Sequence, residues 1–112
     1  MTNREFYDNH LKLLEDNDVN ALVEHDYHDD AVMILHVAEE PIILSGKEAL
    51  VKQLGDYLTY IYRGFISTEK LAITEDSIFL EATINTANGP SKVYDALYMK
   101  DGKIFRHFSG LK

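Results

Sequence analysis

From Val93 to Met99 every second residue is apolar except Asp95, so a strand through this stretch puts a carboxyl group in a row with Val93, Leu97 and Met99. Burial disfavours a charged carboxylate, and a group so placed either serves as a proton donor or takes a hydrogen-bonding partner. Facing outward instead, it would pair with Arg106 or a lysine across a subunit contact. His107 follows the Asp101-Gly102 turn, in a row with Phe105, Ser109 and Leu111. Counting back across that turn makes Asp95 and His107 cross-strand neighbours to within a slip of one or two residues. A carboxylate and an imidazole in contact can move a proton near neutral pH, or hold each other as a buried structural hydrogen bond.

A second polar group, His25-Asp26-Tyr27-His28-Asp29-Asp30, is rich in metal-ligand types, with His25 and His28 one helical turn apart. A metal site needs three or four converging donors, and crowding at a helix end is not convergence, so the stretch reads as solvated charge. Asp16-Asn17-Asp18-Val19-Asn20 begins like a calcium loop, but Ala21 replaces the glycine and Tyr27 the glutamate that such a loop needs. Tyr57, Tyr60, Tyr62, Tyr94 and Tyr98 are chiefly packing residues, one or two of them placed to donate a phenolic hydrogen bond at a pocket mouth. There is no glycine-rich phosphate loop and no nucleophile elbow, and the lack of cysteine removes disulfide and thiol chemistry.

The elements that must position these groups follow from periodicity and caps. Thr2-Asn3-Arg4-Glu5 is a capping box opening a helix with Tyr7, Leu11 and Leu14 on its stripe, widened by Phe6 and Leu13. Asp16-Asn17-Asp18 ends it and caps a short second helix carrying Val19, Leu22 and Val23. Ala31 to Val37 reads as a strand buried on both faces, and Ile42-Ile43-Leu44 as a short partner after Pro41. Ser45-Gly46-Lys47-Glu48 resembles another capping box, opening the longest helix, with Leu50, Leu54, Leu58 and Ile61 on one face, joined by Val51 and Tyr57, and Gly64 as its stop. Four strands follow, Phe65 to Thr74, Ser77 to Thr86, Lys92 to Met99 and Lys103 to Leu111, with turns at Glu75-Asp76, Asn88-Gly89 and Asp101-Gly102. Residues 1–112 thus form one α+β domain, helices first and a curved antiparallel sheet after. Tyr94, Ala96 and Tyr98 make a semi-apolar face opposite Asp95, joined by His36 from the first strand, and such a face suits a dimer contact.

Three stretches resemble the nuclear transport factor 2-like superfamily, in its SnoaL-like and ketosteroid-isomerase-like branches. Asp18-Val19-Asn20-Ala21-Leu22 running into Tyr27-His28-Asp29-Asp30-Ala31-Val32 is similar to the family's short helix and its Y-x-D-D-A start to strand one. Leu44-Ser45-Gly46-Lys47-Glu48-Ala49-Leu50 is similar to the start of its long helix, and Tyr94 to Ile104 to its final hairpin. The resemblance implies a cone-shaped, cystatin-like fold with helices closing a strongly curved, mostly antiparallel sheet over a pocket, and a homodimer through the outer sheet face. It implies no single activity, because isomerases, cyclases, dehydratases, hydrolases and non-catalytic binders share this fold. An acid at the place of Asp95 donates to the oxyanion in ketosteroid isomerases and is the general acid/base in SnoaL-like cyclases. The isomerase's base falls on Leu35 and its oxyanion-hole tyrosine near Leu11, and neither leucine can exchange a proton. The Asp–Arg–Asp set of the epoxide hydrolases is also missing, since Leu97 stands where the arginine would follow Asp95.

Eleven Lys and Arg against nineteen Asp and Glu give a net charge of −8, which argues against nucleic acid or an anionic membrane as partner. No apolar run approaches a membrane span and no targeting segment is visible, which leaves a cytoplasmic protein as the default expectation. The expected pocket wall comprises Met33, Leu35 and Val37 on the first strand, Leu54 and Leu58 on the long helix, and Val93, Leu97 and Met99 on the fifth strand. Asp95 and His107 are its polar focus and the candidate catalytic pair. The leading expectation is a small-molecule-binding domain for an apolar or carbonyl-bearing ligand, needing neither cofactor nor metal. The alternative is a cofactor-independent acid/base enzyme of isomerase, cyclase or dehydratase type acting on a small carbonyl compound.

Overall fold

A computed structural model describes residues 1–112. Helix α1 (Asn3–Asp16) opens on the expected Thr2–Glu5 capping box and closes at Asn17, which takes the left-handed conformation at φ 57°. Helix α2 (Val19–Asp26) is capped by Asp18, whose carboxylate accepts from the Ala21 N–H. Strand β1 (Tyr27–His36) follows without a loop, and β2 (Ile42–Ser45) pairs back on it. Helix α3 (Lys47–Asp56) continues as one π-helical turn, Tyr57–Ile61, into β3 (Tyr62–Ile73), and β4 (Ser77–Thr86), β5 (Gly89–Lys100) and β6 (Lys103–Leu111) complete the chain. No helix is long and apolar enough to cross a membrane.

The six strands form one curved sheet in the order β2-β1-β6-β5-β4-β3, antiparallel throughout except for the parallel β1–β6 pair. Helices α1, α2 and α3 cover one side of it, and the core lies between the layers. Leu22, Leu50, Ile78 and Ile104 there are fully buried, each worth about 1.5–3 kcal/mol relative to exposure.

Four local expectations are corrected. Strand β1 is not buried on both faces: Ala31, Met33 and Leu35 are buried, while Val32 and Ile34 are half-covered on the other side. Ser45 does not cap α3, because it is paired to Val32 in the sheet; Gly46 takes the cap position at φ 88° with no side-chain cap bond. Gly64 lies inside β3 rather than ending the helix, and the π-helical turn leaves Ile61 48% exposed, off the face that buries Leu50, Leu54 and Leu58. In the β4–β5 hairpin the central residues are Ala87 and Asn88, since Thr86 pairs with Gly89, which carries the positive φ. The Asp101-Gly102 turn is as expected, with φ of 55° and 75° at its two central residues.

The last hairpin holds the detail on which the site depends. Tyr98 faces Arg106 but Met99 faces Ile104, so Phe105 is an extra residue bulged out of β6. An unbulged two-residue hairpin would place His107 opposite Ala96, on the outer face. The bulge advances the register by one, setting His107 opposite Leu97 and Ser109 opposite Asp95. His107 therefore shares the inward face with Ile104 and not, as expected, with Phe105, which packs outside beneath the Lys100 and Arg106 cations.

Candidate functional site

Between the helices and the sheet lies a cavity of about 520 Å3, in the range of small-molecule sites. Its wall is mostly apolar, drawn from α1 (Leu11, Leu14), α2 (Leu22), β1 (Met33, Leu35), α3 (Leu54) and β5 (Val93, Leu97). Val37, Ile61 and Leu111 are exposed yet also border it, which marks its open rim. Another groove of about 530 Å3, over Glu24, His25, Asp101 and Lys103, lies on the surface with Ala21 as its one apolar lining residue.

Asp95 takes the second of the two courses open to a carboxyl group on an apolar row. Its Oδ1 lies 2.7 Å from His107 Nε2, the diagonal contact that the bulge makes possible. The other ring nitrogen, Nδ1, lies 2.8 Å from the Tyr27 hydroxyl. Tyr27 sits at the α2–β1 junction, is 1% exposed and stacks on the His107 ring at 6.0 Å. Burial, and after it the charges of Asp95 and Asp26, push the Tyr27 phenol well above its ordinary value, so it keeps its proton. A carboxylate only accepts, so His107 Nε2–H donates to Asp95 Oδ1; in the neutral ring Nδ1 then accepts from the Tyr27 O–H. Both nitrogens of His107 are thereby engaged. Asp95 Oδ2 has no protein partner and borders the cavity.

A second carboxylate–imidazole group stands on the other side of Tyr27. Asp26 is fully buried, and its two oxygens meet His10 Nδ1 at 2.7 Å and His25 Nδ1 at 2.8 Å. His10 comes from the buried side of α1, between the rings of Phe6 at 6.0 Å and Tyr27 at 6.3 Å, and it lines the cavity. Tyr57, on the π-helical turn, also lines the cavity. Burial, with Asp95 and Tyr62 adding to it, raises its phenol, so it stays a neutral donor, and its hydroxyl meets no protein partner. Tyr7, likewise on the wall, spends its hydroxyl on Thr68 at 2.8 Å.

Of the residues singled out in the sequence, Asp95, His107, Met33, Leu35, Val37, Leu54, Val93 and Leu97 lie around this cavity. Leu58 and Met99 do not: both are buried, away from its lining. Reading His25 to Asp30 as solvated charge is wrong for Asp26 and Tyr27, which are among the most deeply buried residues of the chain. His25 and His28 do not converge, since His25 bonds Asp26 while His28 Nδ1 accepts from the Asp30 N–H. In the sequence neither His10 nor Tyr27 is singled out as a site residue, and Tyr57 is placed on the face of the long helix and among the tyrosines near a pocket mouth. For His10 the signal was present, because it falls on the helical stripe with Tyr7, Leu11 and Leu14.

No family model matches the sequence, and no curated protein matches it. Solved structures do. A protein from work on de novo design with diverse pocket structures superposes with a TM-score of 0.81 at 21% identity, covering 97% of both chains. An NTF2-like protein of unknown function from Mesorhizobium loti gives 0.80 at 18% identity, over 97% of this chain and 89% of its own. SalBIII, an epoxide hydrolase/cyclase-like enzyme of pyran ring formation in polyether salinomycin, gives 0.77 at 15% identity, over 97% and 89%. The chain has the nuclear transport factor 2-like fold.

Proposed function

We propose that the cavity binds a small, mostly apolar carbonyl compound and that Asp95 moves a proton at the carbon next to the carbonyl, without a cofactor. The observation that carries this reading is the pairing of two unpartnered polar atoms in one apolar cavity: the Asp95 Oδ2 acceptor and the Tyr57 hydroxyl donor. Enolisation needs a base for the C–H proton and a hydrogen-bond donor for the oxygen on which charge develops. Asp95 Oδ2 takes the α-proton, the C–H electron pair forms the new C=C bond, and the carbonyl pair moves onto the oxygen facing Tyr57. Asp95 then returns the proton to the same carbon or to a conjugated one. His107 and Tyr27 touch no substrate atom in this scheme; they are positioning residues that hold the carboxylate and keep Oδ2 turned to the cavity.

The test is hydrogen–deuterium exchange of a panel of small enolisable ketones in deuterated buffer, read by proton NMR. Exchange above the buffer rate is expected for the wild-type chain, falling by about 100-fold or more in Asp95→Asn and by roughly 10-fold or more in Tyr57→Phe. Exchange undiminished in Asp95→Asn overturns the proton-transfer assignment. The second reading is a binder without turnover, favoured by the leucines Leu11 and Leu35 that line the cavity where ketosteroid isomerases carry a tyrosine and a base. Retained ligand in native mass spectrometry, with no exchange on any ketone, selects it. Two copies of the chain pair through the outer sheet face around Tyr94, Ala96 and Tyr98, a reading supported by the exposure of Tyr98 and of its neighbour Phe108.

A further inference from the structure

We infer that His10 is a third ligand-contacting group of the cavity, an acceptor for a hydroxyl, so that the bound molecule carries a hydroxyl at a distance from the site of proton transfer. The inference rests on the proposed cavity function and adds the substrate class, a hydroxylated carbonyl compound. A carboxylate only accepts hydrogen bonds, so the ring nitrogens facing Asp26 carry the hydrogens. His10 therefore donates Nδ1–H to Asp26 Oδ2, and His25 donates Nδ1–H to Oδ1. In the neutral ring this leaves His10 Nε2 as a lone-pair acceptor. That atom has no protein partner and is not sealed in the interior, and the residue borders the cavity.

Its support is rigid. Asp26 is 0% exposed, and His10 is clamped between Phe6 and Tyr27 on its flanks. A buried ring held by a carboxylate at one nitrogen and open to a cavity at the other is poised to receive an O–H group. The Tyr27 ring separates His10 from His107 by 6.3 Å and 6.0 Å, centroid to centroid, so the two acceptors, Nε2 of His10 and Oδ2 of Asp95, address different parts of one ligand.

Naphthols test this without knowledge of the natural ligand. Binding of 2-naphthol and of a set of dihydroxynaphthalenes with differently spaced hydroxyls is measured by calorimetry for the wild-type chain, His10→Phe and Asp95→Asn. In the wild-type chain at least one diol is expected to bind about 10-fold more tightly than 2-naphthol, as one added hydrogen bond allows. That gain is expected to vanish in His10→Phe while 2-naphthol still binds, held by Asp95. Binding of 2-naphthol with no gain from any diol, or a gain that survives in His10→Phe, overturns the role of His10 and leaves the cavity reading intact. Failure of 2-naphthol and every diol to bind overturns both. Nitrogen NMR of the wild-type chain needs no variant: the His10 Nε2 signal shifts on adding the preferred diol, and an unmoved signal refutes the contact.

Discussion

Raising the pH probes the hydrogen assignments through stability. Tyr27 and Tyr57 are both held above the ordinary phenol value, chiefly by burial, with Asp95 adding to each. In the unfolded chain both ionise near pH 10. A group with a raised folded value contributes stability that is complete below its unfolded value and lost as the pH climbs through the folded one. Each phenol that stays protonated in the fold therefore removes about 1.4 kcal/mol of stability per pH unit above roughly 10. By about pH 11 the pair removes roughly 3 kcal/mol, a fall of about 10–20 °C in melting temperature for a chain of this size. Tyr7 and Tyr62 are raised in the same direction and steepen the same limb. The assay is urea unfolding from about pH 8 to about pH 11, with tyrosinate absorbance followed in parallel. Lysines lose charge in this window as well, so the decisive quantity is the difference between wild-type protein and Tyr57→Phe. Near pH 11 that variant should retain about 1.4 kcal/mol of the stability that the wild-type chain loses relative to neutral pH. Equal losses in the two proteins, or a tyrosinate signal near pH 10 in the folded wild-type chain that is missing from folded Tyr57→Phe, would refute the protonated, donor state assigned to Tyr57.

Tyr27→Phe leaves His107 Nδ1 as a buried acceptor without its donor and is expected to cost about 1–3 kcal/mol in urea unfolding. It should also slow ketone exchange by roughly 10-fold although Asp95 is intact, because the carboxylate loses its orientation; unaltered exchange would show that the relay positions nothing. On the outer face, Tyr98→Glu is expected to turn a dimer into a monomer in light scattering coupled to size exclusion. A wild-type chain that is monomeric at tens of micromolar would remove that contact from consideration.

Much of the fold was legible because its signals are local. Thr2 and Glu5 cap each other across three residues, and Asp101-Gly102 takes the positive φ that the pair of residue types favours. Ser45 carried the same kind of signal as Thr2 and failed, since a long-range pairing with Val32 claimed it for the sheet. The candidate site divides along the same line. The strand period alone placed Asp95 on the inner face. Its contact with His107 depends on the extra residue at Phe105, a bulge that no residue type in Lys103 to His107 announces. Asp26 and Tyr27 were misread because a carboxylate between two histidines looks solvated in sequence. Only the docking of α1 against α2 brings His10 over to enclose it.

That enclosure bears on what the polar network is for. Taking Asp26 fully out of water carries a desolvation cost of several kcal/mol, which the two imidazole bonds have to offset. Apolar residues of similar volume commonly replace such buried groups with no loss of stability. What an apolar replacement could not supply is direction. Tyr27 donates toward His107 and His107 toward Asp95, while His10 and His25 both donate toward Asp26. Each of these hydrogens is spent within the network, which leaves Asp95 Oδ2 and His10 Nε2 as acceptors without a protein partner on residues that border the cavity. Tyr57 adds one donor from the π-helical turn. Two fixed acceptors and one donor in an otherwise apolar wall are complementary to a carbonyl oxygen, an acidic C–H and a hydroxyl on one small frame.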